Sequence, residues 1–119
     1  YTGFLLIHMT ETIEYGDFRK VDLRVGTIIE VENFPEARNP TYKLKIDLGD
    51  LGIKKSSAQV TEEYSKEELV GKQVVCVVNF PKKQIGPLMS EVLTTGFDGE
   101  KGVVITTVDK KVKNGMRLY

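Results

Sequence analysis

Tyr42-Lys43-Leu44-Lys45-Ile46-Asp47-Leu48 alternates apolar and charged residues without a break. Successive side chains of a strand point to opposite faces, so this stretch predicts a strand with one buried face and one lysine-bearing face in water. Upstream, Leu23-Arg24-Val25-Gly26-Thr27-Ile28-Ile29-Glu30-Val31-Glu32 is apolar mostly at its odd positions, and predicts a second half-buried strand with Gly26 as the place for a bulge or bend. Between the two, Phe34-Pro35-Glu36-Ala37-Arg38-Asn39-Pro40 holds prolines and an Asn-Pro step, and reads as a loop. Gly49-Asp50-Leu51-Gly52 reads as a turn, after which 53–60 completes a three-stranded meander.

Helix signals are few. Ser65 stands at an N-cap position with Glu68 three residues on, a capping box, and Gly71 sits where a stop belongs. Residues 11–20 allow another helix that would set Ile13, Phe18 and Val21 against the core. Gln73 to Phe80 is a continuous apolar run, the pattern of a strand buried on both faces. Pro81 to Pro87 reads as a loop, and 91–95 and 103–107 as strands around an Asp98-to-Gly102 turn. The order strand-strand-strand-helix-strand-strand is that of an all-β, five-stranded OB barrel with its helix between strands three and four, flanked by N- and C-terminal extensions. Another small β-barrel fits the same periodicity.

The totals fit one domain: 119 residues, 40% apolar and 29% charged, with no linker or repeat dividing the chain. Residues 1–8 read as a cloning remnant or mis-assigned leader, because Met9-Thr10-Glu11 looks like a natural start; residues 9–119 form the expected single domain. Phe4 to Ile7 is too short an apolar run to cross a bilayer, so no membrane insertion is expected. The single cysteine, Cys76, lies in an apolar run and the single histidine, His8, in the suspect leader. Neither a disulfide, a metal cluster nor a nucleophile–base pair can be assembled from them. The expectation is therefore no enzyme and no cofactor, with a reduced, buried thiol that suits the cytoplasm.

Seventeen basic residues balance seventeen acidic ones, so any attraction for polyanions must come from local clustering. Lys43 and Lys45 share a strand face, Lys54 and Lys55 open the next strand, Arg38 lies in the first loop, and Lys82-Lys83 lie in the second. In an OB barrel these elements line the usual groove, where cations can track phosphates. Alternating lysines are equally what a plain solvent face looks like. The same loops hold Phe34, Phe80, Ile85, Leu88 and Met89, apolar groups able to stack bases, grip a peptide or pack a dimer. Phe80, continuing the apolar run, also has a core reading.

Asp17-Phe18-Arg19-Lys20-Val21-Asp22-Leu23-Arg24-Val25-Gly26-Thr27-Ile28 resembles the opening signature of the tRNA-binding domain family, found at the ends of some aminoacyl-tRNA synthetases and as free-standing dimers. Phe34-Pro35-Glu36-Ala37-Arg38 resembles its His-Pro-Asn-Ala-type segment with Phe34 in place of the histidine, and Asn79-Phe80-Pro81-Lys82-Lys83 with Gly86 and Ser90 resembles a later one. Gly52-Ile53-Lys54-Lys55-Ser56-Ser57-Ala58-Gln59 is similar to the CsaA-type branch, described as export-related chaperones. The resemblance runs from about Ile13 to Arg117. It implies an OB-fold homodimer, with the chain ends in its interface, that binds unfolded or exported polypeptide and tRNA. By position it implies Arg38, Lys43, Lys54, Lys55, Asn79, Lys82, Lys83 and Ser90 as nucleic-acid contacts, to which the strand-face reading adds Lys45. On the chaperone-type reading Phe34, Phe80, Ile85, Leu88 and Met89 would supply the peptide contacts. Glu91-Val92 stands where tRNA-binding members often carry Gly-Met, a departure shared with the chaperone-type branch. A structure-specific tRNA-binding protein and a scaffold module for translation proteins are the alternative readings.

Overall fold

The first predicted strand forms as β1, Leu23–Asn33, and a computed structural model describes it together with the rest of residues 11–119. The expectations about residues 1–8 lie outside the described residues. Strand β1 serves two partners. Its first half pairs antiparallel with β4 (Gln73–Val77), from Leu23 opposite Val77 to Thr27 opposite Gln73. Its second half pairs with β2 (Tyr42–Asp47), which pairs in turn with β3 (Ile53–Ala58).

The bulge falls not at Gly26 but at Ile29, between Ile28 and Glu30. Ile29 is pushed outward, and the extra residue lets Ile28 before it and Val31 after it both face the core. Gly26 has a different task. A Cβ there would stand 2.5 Å from Ile46 Cγ2 and 2.7 Å from Leu48 Cδ2, so only glycine lets β1 and β2 close at that point.

Helix α1 is shorter than the sequence predicts, Tyr15–Arg19, and buries none of its residues. Ile13 and Val21 are exposed rather than packed inward, since five residues are too few to lay an apolar stripe on the barrel. Helix α2, Lys66–Leu69, forms between β3 and β4 with the expected capping box: Glu68 N–H donates to Ser65 Oγ at 3.2 Å, and Ser65 N–H donates to Glu68 Oε1 at 2.9 Å. Hydrogen bonds from the Ser65 backbone N–H first, and then from the Ser65 hydroxyl, hold the Glu68 carboxyl below its ordinary range. Leu69 then plugs the core, fully buried.

Strand β4 ends at Val77 with all five residues buried, three short of the apolar run that predicts it. Asn79 and Phe80 lie outside the sheet and are exposed. Part of the expected loop is a hairpin, β5 (Lys83–Ile85) with β6 (Leu88–Ser90), turning at Gly86 in the left-handed region, φ 55°. Then come β7 (Leu93–Thr94) and a ribbon of β8 (Gly96–Asp98) and β9 (Val103–Ile105). The main sheet, ordered β3-β2-β1-β4-β7, curls into a nearly closed OB-type barrel. Buried Ser56 shuts it, its hydroxyl 2.9 Å from Val92 O and 2.8 Å from Thr94 Oγ1. Inside lie Ile28, Leu44, Ile46, Leu48, Val60, Val74, Cys76 and Ile105. Burial pushes the Cys76 thiol up to about 12, so it stays protonated and unreactive.

Candidate functional site

Strand register decides which cations share a face. Lys45 lies opposite Lys55 and Glu30, while Lys43 lies opposite Ser57 and Glu32, so these side chains stand on one side of the β1-β2-β3 sheet. Lys54, one residue from Lys55, pairs with Ile46 and faces the other way, into a depression with Asp22, Asn79, Lys82 and Glu91. The cations therefore do not converge on one surface as the sequence predicts; alternation divides adjacent lysines between two faces.

Two of the three lysines on the ladder face, Lys43 and Lys45, are neutralised by carboxylates of β1, and Lys55 is not. Lys45 Nζ is 3.3 Å from Glu30, and Lys43 Nζ is 3.7 Å from Glu32 and 5.7 Å above the Phe34 ring. A hydrogen bond with the Glu32 carboxyl, then Lys45, holds Glu30 below the ordinary carboxylate range. Lys82 is 3.8 Å from Glu91. The Glu91 carboxylate also accepts the Lys55 N–H at 2.9 Å, and Glu91 N–H donates to Lys55 O at 2.8 Å. The residue that departs from the tRNA-binding pattern thus fastens the β5–β6 end of the barrel to β3.

Two polar candidates have their groups occupied within the chain. Asn79 donates to Lys20 O at 2.7 Å and accepts the Asp22 N–H at 3.0 Å, and Ser90 donates to Val92 O at 3.3 Å. Among the described residues, Arg38, Lys54, Lys55 and Lys83 have no carboxylate partner within ion-pair distance. Arg38 and Lys83 meet across a groove of about 740 Å³ beside the β5–β6 hairpin, lined also by Ser57, Ile85, Leu93 and Thr94. A second groove of about 490 Å³ adjoins it through Lys83, Ile85 and Leu93, and adds Phe80, Lys82 and Ser90.

The apolar candidates divide too. Phe34 is 3% exposed and Leu88 8%, so both are buried, although outside the main core cluster, and Leu88 only floors a small cleft of about 150 Å³ with Lys43, Lys45 and Lys55. Phe80, read from sequence as a possible core residue, is 54% exposed, with Met89 exposed and Ile85 half-buried. Leu93, 48% exposed in both grooves, is a lining residue that the sequence reading misses. Its signal was available: it follows buried Val92, and is thus an apolar residue in an outward phase.

At the opposite end of β1, residues 19–24 are tied to residues 115–117. Asp22 accepts hydrogen bonds from Arg24 Nε at 2.6 Å and Nη2 at 3.2 Å, and Arg117 Nε lies 3.4 Å away in an ion pair without a hydrogen bond. Arg24 Nη1 donates to Gly115 O at 3.0 Å, and Arg117 Nη2 to Arg19 O at 2.6 Å. The Arg24 hydrogen bonds hold Asp22 below the usual carboxylate range.

Residues 23–117 match the model of the family described as "Putative tRNA binding domain". The chain belongs to the tRNA-binding domain family. Within this family's fold, it is similar to the crystal structure of a CsaA chaperone protein from Picrophilus torridus, 49% identical with a TM-score of 0.85 over 91% of this chain and 100% of that one. It is also similar to the chaperone CsaA of Bacillus anthracis, 42% identical with a TM-score of 0.85 over 92% of this chain and 100% of that one. A methionine–tRNA ligase of Thermococcus kodakarensis is 40% identical over 109 residues, which are 91% of this chain and 14% of the ligase. The tRNA-binding domain is therefore a small part of the length of such ligases. No helix among the described residues is long and apolar enough to cross a membrane.

Proposed function

We propose that this chain is a non-enzymatic, chaperone-like binding protein of the CsaA type, which holds unfolded or exported polypeptide and tRNA in the paired grooves beside the β5–β6 hairpin. The observation that carries this reading is their mixed lining. Arg38 and Lys83 are cations without a partner carboxylate among the described residues, and Phe80, Ile85 and Leu93 give apolar footing on the same walls. An extended peptide gains from burying apolar groups there, and a phosphate backbone gains from free cations. A homodimer in the cytoplasm belongs to the same reading. It is supported by exposed Ile13, Tyr15, Met116 and Leu118, near in sequence to the Arg19–Arg117 link, and by the free, buried Cys76 thiol.

Salt separates the two ligands. Binding of bulk tRNA should fall steeply and linearly in log–log form as salt rises, whereas capture of an apolar extended peptide should change little. Phe80→Ala combined with Leu93→Ser should weaken peptide binding by about tenfold, as expected for losing two apolar contacts. Retention of full peptide affinity in that variant would overturn the peptide half of the reading, and salt-insensitive or absent tRNA binding by the native chain would overturn the other.

A further inference from the structure

A groove of about 530 Å³ shares no lining residue with those just described. Lys72, Lys110 and Lys111 stand on its walls with Asp109, and Thr27, Tyr64, Gln73 and Thr107 contribute polar groups. Three cations against one carboxylate leave it net positive in a chain whose total charge is zero. None of these lysines is in an ion pair among the described residues. Glu68, the carboxylate nearest in sequence to Lys72, caps Ser65 and feels the Lys72 charge without reaching ion-pair distance.

The lysines are carried on backbone that is held in place. Buried Gln73 donates to Val112 O at 2.5 Å and to Asn114 Oδ1 at 3.1 Å, and its Oε1 accepts the Val112 N–H at 3.0 Å. Thr107 Oγ1 donates to Gln73 O at 2.6 Å, so the segment bearing Lys110 and Lys111 is pinned at both ends to the start of β4. Lys72 itself is fixed between Leu69 and Ile28: its N–H donates to Leu69 O at 3.0 Å, and its O accepts the Ile28 N–H at 2.9 Å. Holding like charges together in this way costs stability through repulsion unless an anion offsets it. Of the groove's apolar lining residues Ile105 is buried and Tyr64 and Val108 are half-buried, and none is among the exposed large apolar side chains of the described residues, so a peptide would find less apolar footing there than beside the hairpin.

We infer that the Lys72–Lys110–Lys111 groove is a second contact for the tRNA phosphate backbone, separate from the apolar-lined grooves, so that tRNA and polypeptide can be held at the same time. The inference rests on the tRNA-binding reading above. Its test is the binding of bulk tRNA across a salt series by the native chain and by the variant Lys72→Ala with Lys110→Ala and Lys111→Ala. All three side chains are exposed, so the fold is retained, and melting curves verify it. The variant should bind tRNA at least about tenfold more weakly near physiological salt, with a log–log salt slope shallower by about 2, and should keep its peptide affinity. A slope and affinity equal to the native chain's would overturn the inference and leave the tRNA reading standing. Absent tRNA binding by the native chain would overturn both. Loss of acidic-peptide binding alone, with tRNA untouched, would assign the groove to a protein ligand and overturn it as well.

Discussion

The ladder face of β1–β2 and the groove beside the β5–β6 hairpin have similar numbers of basic residues, but they differ in how many of those charges are free. On the ladder, Lys43 and Lys45 each meet a glutamate directly across the strand pair. In the groove, Arg38 and Lys83 have no such neighbour among the described residues. A cation already facing a carboxylate neutralises less phosphate charge and so releases fewer of the counterions condensed on an incoming backbone, which makes the ladder a weak attractor of polyanions. Counting lysines therefore overstates one surface, and locating their partners identifies the other.

The most direct way to break the contrast is to delete cations from each side. Arg38→Ala with Lys83→Ala should weaken tRNA binding about 10- to 30-fold near physiological salt and make the salt slope shallower by about 1.5. Lys43→Ala with Lys45→Ala should change affinity less than about threefold, since each deletion also frees a glutamate that repels the ligand only through solvent. Equal losses from both pairs, measured by filter binding or fluorescence anisotropy, would remove the distinction.

A second comparison lies among the paired charges themselves. The Glu30–Lys45 pair is about half exposed, with side-chain accessibilities of 45% and 50%, whereas Asp22 and Arg24 show 23% and 26% and are doubly hydrogen-bonded. Because Asp22 is held below its ordinary value, its contribution is complete above the unfolded value of about 3.9 and is lost as pH falls through the lower folded value. Asp22→Asn should therefore destabilise the chain by about 1–2 kcal/mol at neutral pH, lowering Tm by roughly 5 °C, and this difference should shrink below about pH 4. A constant difference between the two proteins from pH 7 to pH 2.5 would show that Asp22 does not hold Arg24 and Arg117 by its charge.

Much of the barrel was legible. β2 and the α2 capping box form where alternation and the Ser65–Glu68 spacing predict them, because each rests on local rules. The site was less legible, because it depends on register. Extended past Ile28 without the bulge, the β1–β2 pairing would set Glu30 opposite Leu44, and Lys45 opposite Ile29. The extra residue shifts every later pair by one and brings Glu30 to Lys45, and an apolar doublet alone does not announce it. The β5–β6 hairpin was missed because three-residue strands carry no period to read. Phe34 and Phe80 exchanged roles because burial in a loop is set by tertiary packing: Phe34 lies close to Gly86 beneath Lys43, while β4 stops short of Phe80.

The smallest expected effect sharpens the first comparison from the other direction. If the ladder is weak because its glutamates neutralise it, removing their charge should strengthen it with no lysine added. Glu30→Gln with Glu32→Gln preserves shape and hydrogen-bonding capacity and leaves Lys43, Lys45 and Lys55 on the same face. Affinity for tRNA should rise about two- to fivefold, with the salt slope steeper by about 1, as freed lysines begin to displace counterions. The gain should vanish when Lys43 and Lys45 are also replaced by alanine, which separates unmasked local cations from a general change in net charge. A rise that persists in that fourfold variant would mean net charge governs the attraction, and an unchanged affinity in the glutamine pair would mean the ladder lies outside the tRNA footprint however its charges are arranged.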